Sequence, residues 1–83
     1  MRCTVIWDPA ATDQLADIWV LATDQQAVAD ATDEIDRLLR FFADTIGEDH
    51  GDHRRLAVEP LEVVFNIFPD DCLVIVRQVM RVN

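Results

Sequence analysis

The segment RRLAVEPLEVVFNIFPDDCLVIVRQVMRV, from Arg54 to Val82, leaves a chain of this length few folds to choose from. Leu61, Val63, Phe65 and Ile67 alternate with Glu62, Val64, Asn66 and Phe68, and a period of two belongs to a strand with two different faces. Pro60 lies in a turn before this run and Pro69-Asp70-Asp71 in a turn after it, where proline presets φ and aspartate bonds its own backbone. Cys72 to Val79 is almost wholly apolar, as a central strand covered on most of both faces should be. Three strands and two tight turns make an antiparallel meander. Such a meander cannot close a core alone, so the preceding half of the chain must cover one face.

That half supplies a strand and two helices. Arg2 to Trp7 reads as a strand, with Cys3, Val5 and Trp7 on one face. Asp8 is a good N-cap and Pro9 a favoured first helical residue. Ala11, Leu15, Ile18, Trp19 and Ala22 then recur at helical spacing. Thr23 and Gln26 have the form of a capping box that opens a second helix. Its stripe is Val28, Ala31, Ile35, Leu38, Leu39, Phe42 and Ile46, with Asp33–Arg37 and Asp36–Arg40 as expected i,i+4 pairs and Gly47 as a left-handed stop. Glu48 to His53 reads as a polar loop. The order is β-α-α-β-β-β, an α+β fold with a helical hairpin on one face of a mainly antiparallel four-stranded sheet, in one domain spanning residues 1–83.

Charge narrows the choice of partner. Twelve of 16 acidic residues are aspartate, all seven basic residues are arginine, and the net charge is -9. Such a chain is repelled by phosphate at long range, which argues against nucleic acid as a partner. No apolar run reaches the roughly 18 residues that cross a bilayer, and no signal peptide precedes Cys3, so a cytoplasmic protein with no membrane partner is expected. In that compartment Cys3 and Cys72 should be buried small hydrophobes. They are too few for a zinc site, and a disulfide would require their strands to be neighbours. His50 and His53, with Glu48, Asp49 and Asp52, are metal-ligand types. A spacing of three in a glycine-containing loop favours a solvated loop, and no metal or cofactor is expected.

Alternation also divides the sheet into faces. If the helices cover Val5, Leu56, Val58, Val63, Phe65, Val74 and Val76, the open face carries Arg55, Glu62, Val64, Asn66, Phe68, Leu73, Ile75, Arg77 and Val79, with Arg81 just beyond. Val64, Phe68, Leu73, Ile75 and Val79 are too apolar together to face water easily, and a contiguous patch of this kind marks a partner surface. These ten residues are the expected partner-binding site.

The element order, the string DPAATDQLADIW and the meander RRLAVEPLEVVFNIF…CLVIVRQV resemble the RelE/ParE superfamily, the small toxins of type II toxin–antitoxin pairs. The resemblance covers nearly the whole chain and implies the RelE/ParE-like fold. It implies a cognate antitoxin whose C-terminal segment wraps the toxin, adding a helix or strand to an apolar groove. RelE-like members cut messenger RNA in the ribosome with basic residues and often a tyrosine on the open face and tail. ParE-like members lack that set and inhibit gyrase.

Matched by residue, the arginine of the nuclease branch early in the third strand falls on Glu62. Its basic residue after the last strand falls near Arg81, and a basic pair near Arg54 and Arg55. Lysine and tyrosine are absent, and the sequence stops at Asn83 before a catalytic tail. Cleavage needs a base, a proton donor and cations for the developing phosphorane charge. Arginine is a poor base, and His50 and His53, the groups that titrate near neutrality, lie in a loop at the sheet's end. No catalytic residue is therefore assigned, and the expectation is a toxin-like protein that acts by protein binding, with gyrase as one candidate target. A RelE-type endoribonuclease and a non-toxic oligomeric module on the same fold are the alternatives. The resemblance implies a basic toxin paired with an acidic antitoxin, and the inverted charge of this chain points either to a basic antitoxin or to a diverged member that is no longer toxic.

Overall fold

The computed structural model describes residues 2–82, and Asn83, on which the expectation about a tail turned, lies outside them. The elements are β1 (Thr4–Trp7), α1 (Pro9–Leu21), α2 (Gln25–Phe42), β2 (Glu48–Asp49), β3 (Arg54–Val58), β4 (Leu61–Phe68) and β5 (Leu73–Arg81). The sheet order is β1-β5-β4-β3-β2. β1 runs parallel to β5, and the remaining pairs are antiparallel. The sheet thus has five strands rather than the expected four. The extra one comes from the loop, where Glu48 and Asp49 pair with Arg55 and Arg54. Two residues are too few to show a period.

Helix α1 starts as its sequence dictates. Asp8 is the N-cap, its Oδ1 accepts from the Ala10 N–H at 3.3 Å, and Pro9 opens the first turn. The start of α2 differs from the reading of Thr23 and Gln26 as a capping box. Asp24 occupies the N-cap and makes no side-chain cap bond there. It is engaged elsewhere, by Arg81. Asp36 and Arg40 pair at 2.7 Å as expected, whereas Arg37 pairs with Glu34 and not with Asp33. Helix α2 ends at Phe42, before the expected stop, and a turn carries the chain to Gly47. Gly47 has φ 81°, and a Cβ there would meet the Arg55 carbonyl oxygen at 2.6 Å. Glycine is needed at this position for close approach to β3 as well as for its dihedral.

The core lies between the helices and the sheet. Val28, Ala31, Ile35 and Leu39 of α2 and Ala11 of α1 pack with Leu61, Val63, Phe65, Val74, Val76 and Val79. Val5, Leu56 and Val58 pack against this cluster, so the side assigned to the helices is the covered one. Trp19 and Phe42, expected on the helical stripes, are instead exposed.

Cys3 and Cys72 were expected as buried small hydrophobes, with the nearness of their strands left open, and the structure joins them in a disulfide. The parallel pairing of β1 with β5 sets Thr4 opposite Leu73, which brings the preceding residues of both strands to one end. Strand adjacency is what the sequence could not supply.

Candidate functional site

The open face is built from β1, β5, β4 and β3. Its register rows are Thr4–Leu73–Phe68, then Ile6–Ile75–Asn66, then Val64 between Gln78 and Arg55. The first two rows form the apolar end, where Ile6 is 47% and Phe68 39% exposed and Leu73 and Ile75 are half-buried. Of the expected site residues, Arg55, Glu62, Val64, Asn66, Phe68, Leu73, Ile75 and Arg77 are gathered on this side, although Val64 is buried between its neighbouring strands rather than open to a partner.

Val79 and Arg81 are not. The register shifts between Val64 and Phe65: Phe65 pairs with Val76 but Val64 with Gln78, leaving Arg77 without a cross-strand partner. One extra residue in β5 reverses every later side chain. Val79 therefore lies opposite Val63 in the core, and Arg81 lies opposite Leu61, turned toward the helices. Gln78 and Met80 take their places on the open face, opposite Val64 and Glu62. The Val79 N–H is satisfied from α1, by Gln14 Oε1 at 2.8 Å.

The cations of the open side are held by the chain's own oxygens. Arg77 Nε donates to Asn66 Oδ1 at 2.8 Å and its Nη1 meets Asp8 Oδ2 at 3.1 Å. Asn66 in turn donates to the Asp52 carbonyl at 2.6 Å. Arg55 Nη1 lies 3.3 Å from Glu62 Oε1. On the opposite side Arg81 Nη2 donates to Asp24 Oδ2 at 2.7 Å, joining the last strand to the start of α2. This bond holds the Asp24 carboxyl below its ordinary range.

A depressed carboxylate pKa stabilises the fold above the unfolded value and loses that contribution as pH falls through the folded value. In Asp24→Asn, the part of the acid destabilisation that sets in below about pH 4 should therefore be smaller than in the parent. Thermal midpoints at a series of acidic pH values measure this, and identical acid slopes in the two proteins would contradict it.

The polar loop is ordered by local bonds. His53 Nδ1 lies 2.7 Å from Asp52 Oδ1, and the His50 and His53 rings stack at 5.3 Å. The hydrogen bond to His53 lowers the Asp52 carboxyl from its usual value. Among the described residues, no group of three or more His, Cys, Asp or Glu is placed to hold a metal ion.

A second apolar surface lies between the helices, where the sequence reading assigned none. Thr12, Leu15, Ala16, Trp19 and Val20 of α1 face Val28, Ala29, Thr32 and Asp33 of α2 across a groove of about 430 Å³. Val20 is 73% exposed, and Trp19 is 40% exposed. Leu21, which ends the helix, is 83% exposed. The signal was present: Ile18-Trp19-Val20-Leu21 puts four large apolar residues in succession, more than one buried stripe can absorb.

Known structures share this fold. A chain of the RelBE2 toxin–antitoxin complex from Mycobacterium tuberculosis is similar with a TM-score of 0.74 at 11% identity, over 100% of this chain and 95% of that one. The chromosomal ParDE toxin–antitoxin system of P. aeruginosa gives 0.71 at 16% identity, over 99% and 98%. The isolated E. coli RelE toxin gives 0.71 at 12% identity, over 98% and 85%. The fold is that of the RelE/ParE toxins. At these identities the likeness is one of architecture. No protein-family model matches the sequence, and no curated protein is significantly similar to it. On this RelE/ParE-like fold, Arg81, which the resemblance groups with the cations of a cleavage site, points to the helix side and bonds Asp24. Among the described residues no helix is long and apolar enough to cross a membrane.

Proposed function

We propose that this chain is the toxin-like member of a type II toxin–antitoxin pair and acts by binding protein rather than by cutting RNA. The observation that carries this reading is the state of its cations. Arg55 and Arg77 on the open side are matched to Glu62 and to Asp8 with Asn66, and Arg81 lies on the other side with Asp24. Stabilising a phosphorane would require breaking such pairs, and the net charge of -9 opposes approach to RNA before contact is made.

The antitoxin segment is assigned to the groove between α1 and α2, which accepts the apolar face of a helix. Asp13, Asp17, Asp30 and Asp33 are exposed on the same two helices, so a basic segment is favoured over the acidic one usual for such pairs. The apolar end of the open face, around Ile6, Phe68, Leu73 and Ile75, is left for a cellular protein target, with gyrase among the candidates.

Primer extension on translating ribosomes tests the reading. The purified chain is expected to leave ribosome-bound messenger RNA intact and to form a stoichiometric complex with the product of the adjacent reading frame. Codon-phased cuts that disappear in Arg77→Ala would establish the nuclease reading instead.

A further inference from the structure

The disulfide ties an edge strand to the sheet. β1 is an edge strand of four residues, hydrogen-bonded to β5 on one side. Its N-terminal end is anchored by the Cys3 N–H to the Arg40 carbonyl at 2.7 Å and by the Thr4 N–H to the Cys72 carbonyl at 2.9 Å. Its other end runs directly into α1, one wall of the interhelical groove. The covalent bond joins residues 69 apart in sequence, with Cα atoms 4.7 Å apart, so it closes nearly the whole chain into a loop. A cross-link over so long a span restricts the unfolded ensemble strongly. The two residues differ in burial: Cys3 is buried, while Cys72 is half-buried at the end of an exposed turn through Pro69, Asp70 and Asp71.

We propose that Cys3–Cys72 is a reversible thiol–disulfide clasp, opened and closed by a small thiol such as glutathione, that fixes β1 and the start of α1 to the sheet. In opening, a glutathione thiolate attacks the Sγ of Cys72, the less buried residue of the pair. The Cys3 thiolate leaves and takes up a proton, and glutathione stays bound to Cys72 as a mixed disulfide. A second glutathione thiolate attacks the glutathione sulfur, releasing Cys72 as a thiol and oxidised glutathione. Two protein thiols are gained for two glutathione molecules oxidised, and closing is the reverse. The inference does not depend on the chain being a toxin.

The test uses the whole chain equilibrated in glutathione buffers from fully oxidised to fully reduced, quenched with a thiol-alkylating reagent and weighed by mass spectrometry. A reversible passage between zero and two alkylated cysteines is expected. The reduced form should melt about 10 °C lower, with faster amide exchange at Thr4 to Trp7 than in the rest of the sheet. In the Cys3→Ser, Cys72→Ser double variant the melting midpoint should not respond to the buffer. Three results would each overturn the clasp: thiols that stay free in excess oxidised glutathione, a bond that yields only when the chain is unfolded, or the same midpoint and β1 exchange in both redox forms.

Discussion

Truncating Phe65 to alanine is expected to remove about 3–5 kcal/mol of folding stability, most of what a domain of this size possesses. Phe65 is fully buried in the middle of β4, beneath α2 and the turn that follows it. Ile35, Leu39, Val63 and Val76 belong to the same core, and a Cβ on Gly47 would lie only 3.5 Å from the Phe65 ring. These neighbours are backbone-anchored on elements that cannot collapse into the space the ring would leave. Chain length sharpens the effect, because a small domain has little buried surface in reserve. Denaturant unfolding of the parent and Phe65→Ala measures the loss. Phe68→Ala is the control, three residues on in the same strand but on the exposed side, and should cost under about 1 kcal/mol. Equal losses at the two positions would mean that the assignment of sheet faces is wrong.

Val20→Asp should weaken the antitoxin complex by about a hundredfold or more while leaving folding nearly unchanged. Val20 is largely exposed in the free protein and so contributes little to its core, but it lines the interhelical groove. A helix seated there would leave an aspartate at this position buried opposite apolar side chains with no partner. Val20→Leu, which keeps the surface apolar, should retain most of the affinity. Calorimetric titration with the antitoxin, together with melting curves of each free variant, separates binding from folding. Unimpaired binding by Val20→Asp would move the antitoxin to another surface, and Ile75→Asp would then test the open face.

Secondary structure was legible wherever a long run showed one period. The alternation from Leu61 to Phe68 and the Val28-to-Leu39 stripe each resolve into the element they predict, with the buried side as expected. Asp8 and Pro9 mark the start of α1 because capping is a local bond between residues two apart. Thr23 and Gln26 mislead for a related reason. The preference for a cap is weak, and the ion pair of Asp24 with Arg81 draws on a partner 57 residues away.

The sequence by itself determined the order of the elements apart from the two-residue β2, the side of β3, β4 and the first half of β5 that meets the helices, and an acidity that opposes contact with RNA. These follow from local periodicity and from charge, which need no knowledge of neighbours. Tertiary structure decided which residues share a surface. The extra residue at Arg77 reverses the alternation of β5, so Val79 enters the core and Arg81 crosses to Asp24. Parallel pairing of the first strand with the last brings Cys3 to Cys72. The separation of the two helices leaves Trp19 and Val20 beside a groove rather than inside a core. Each of these depends on register or adjacency between distant segments, and a period of two or of 3.6 carries no information about either.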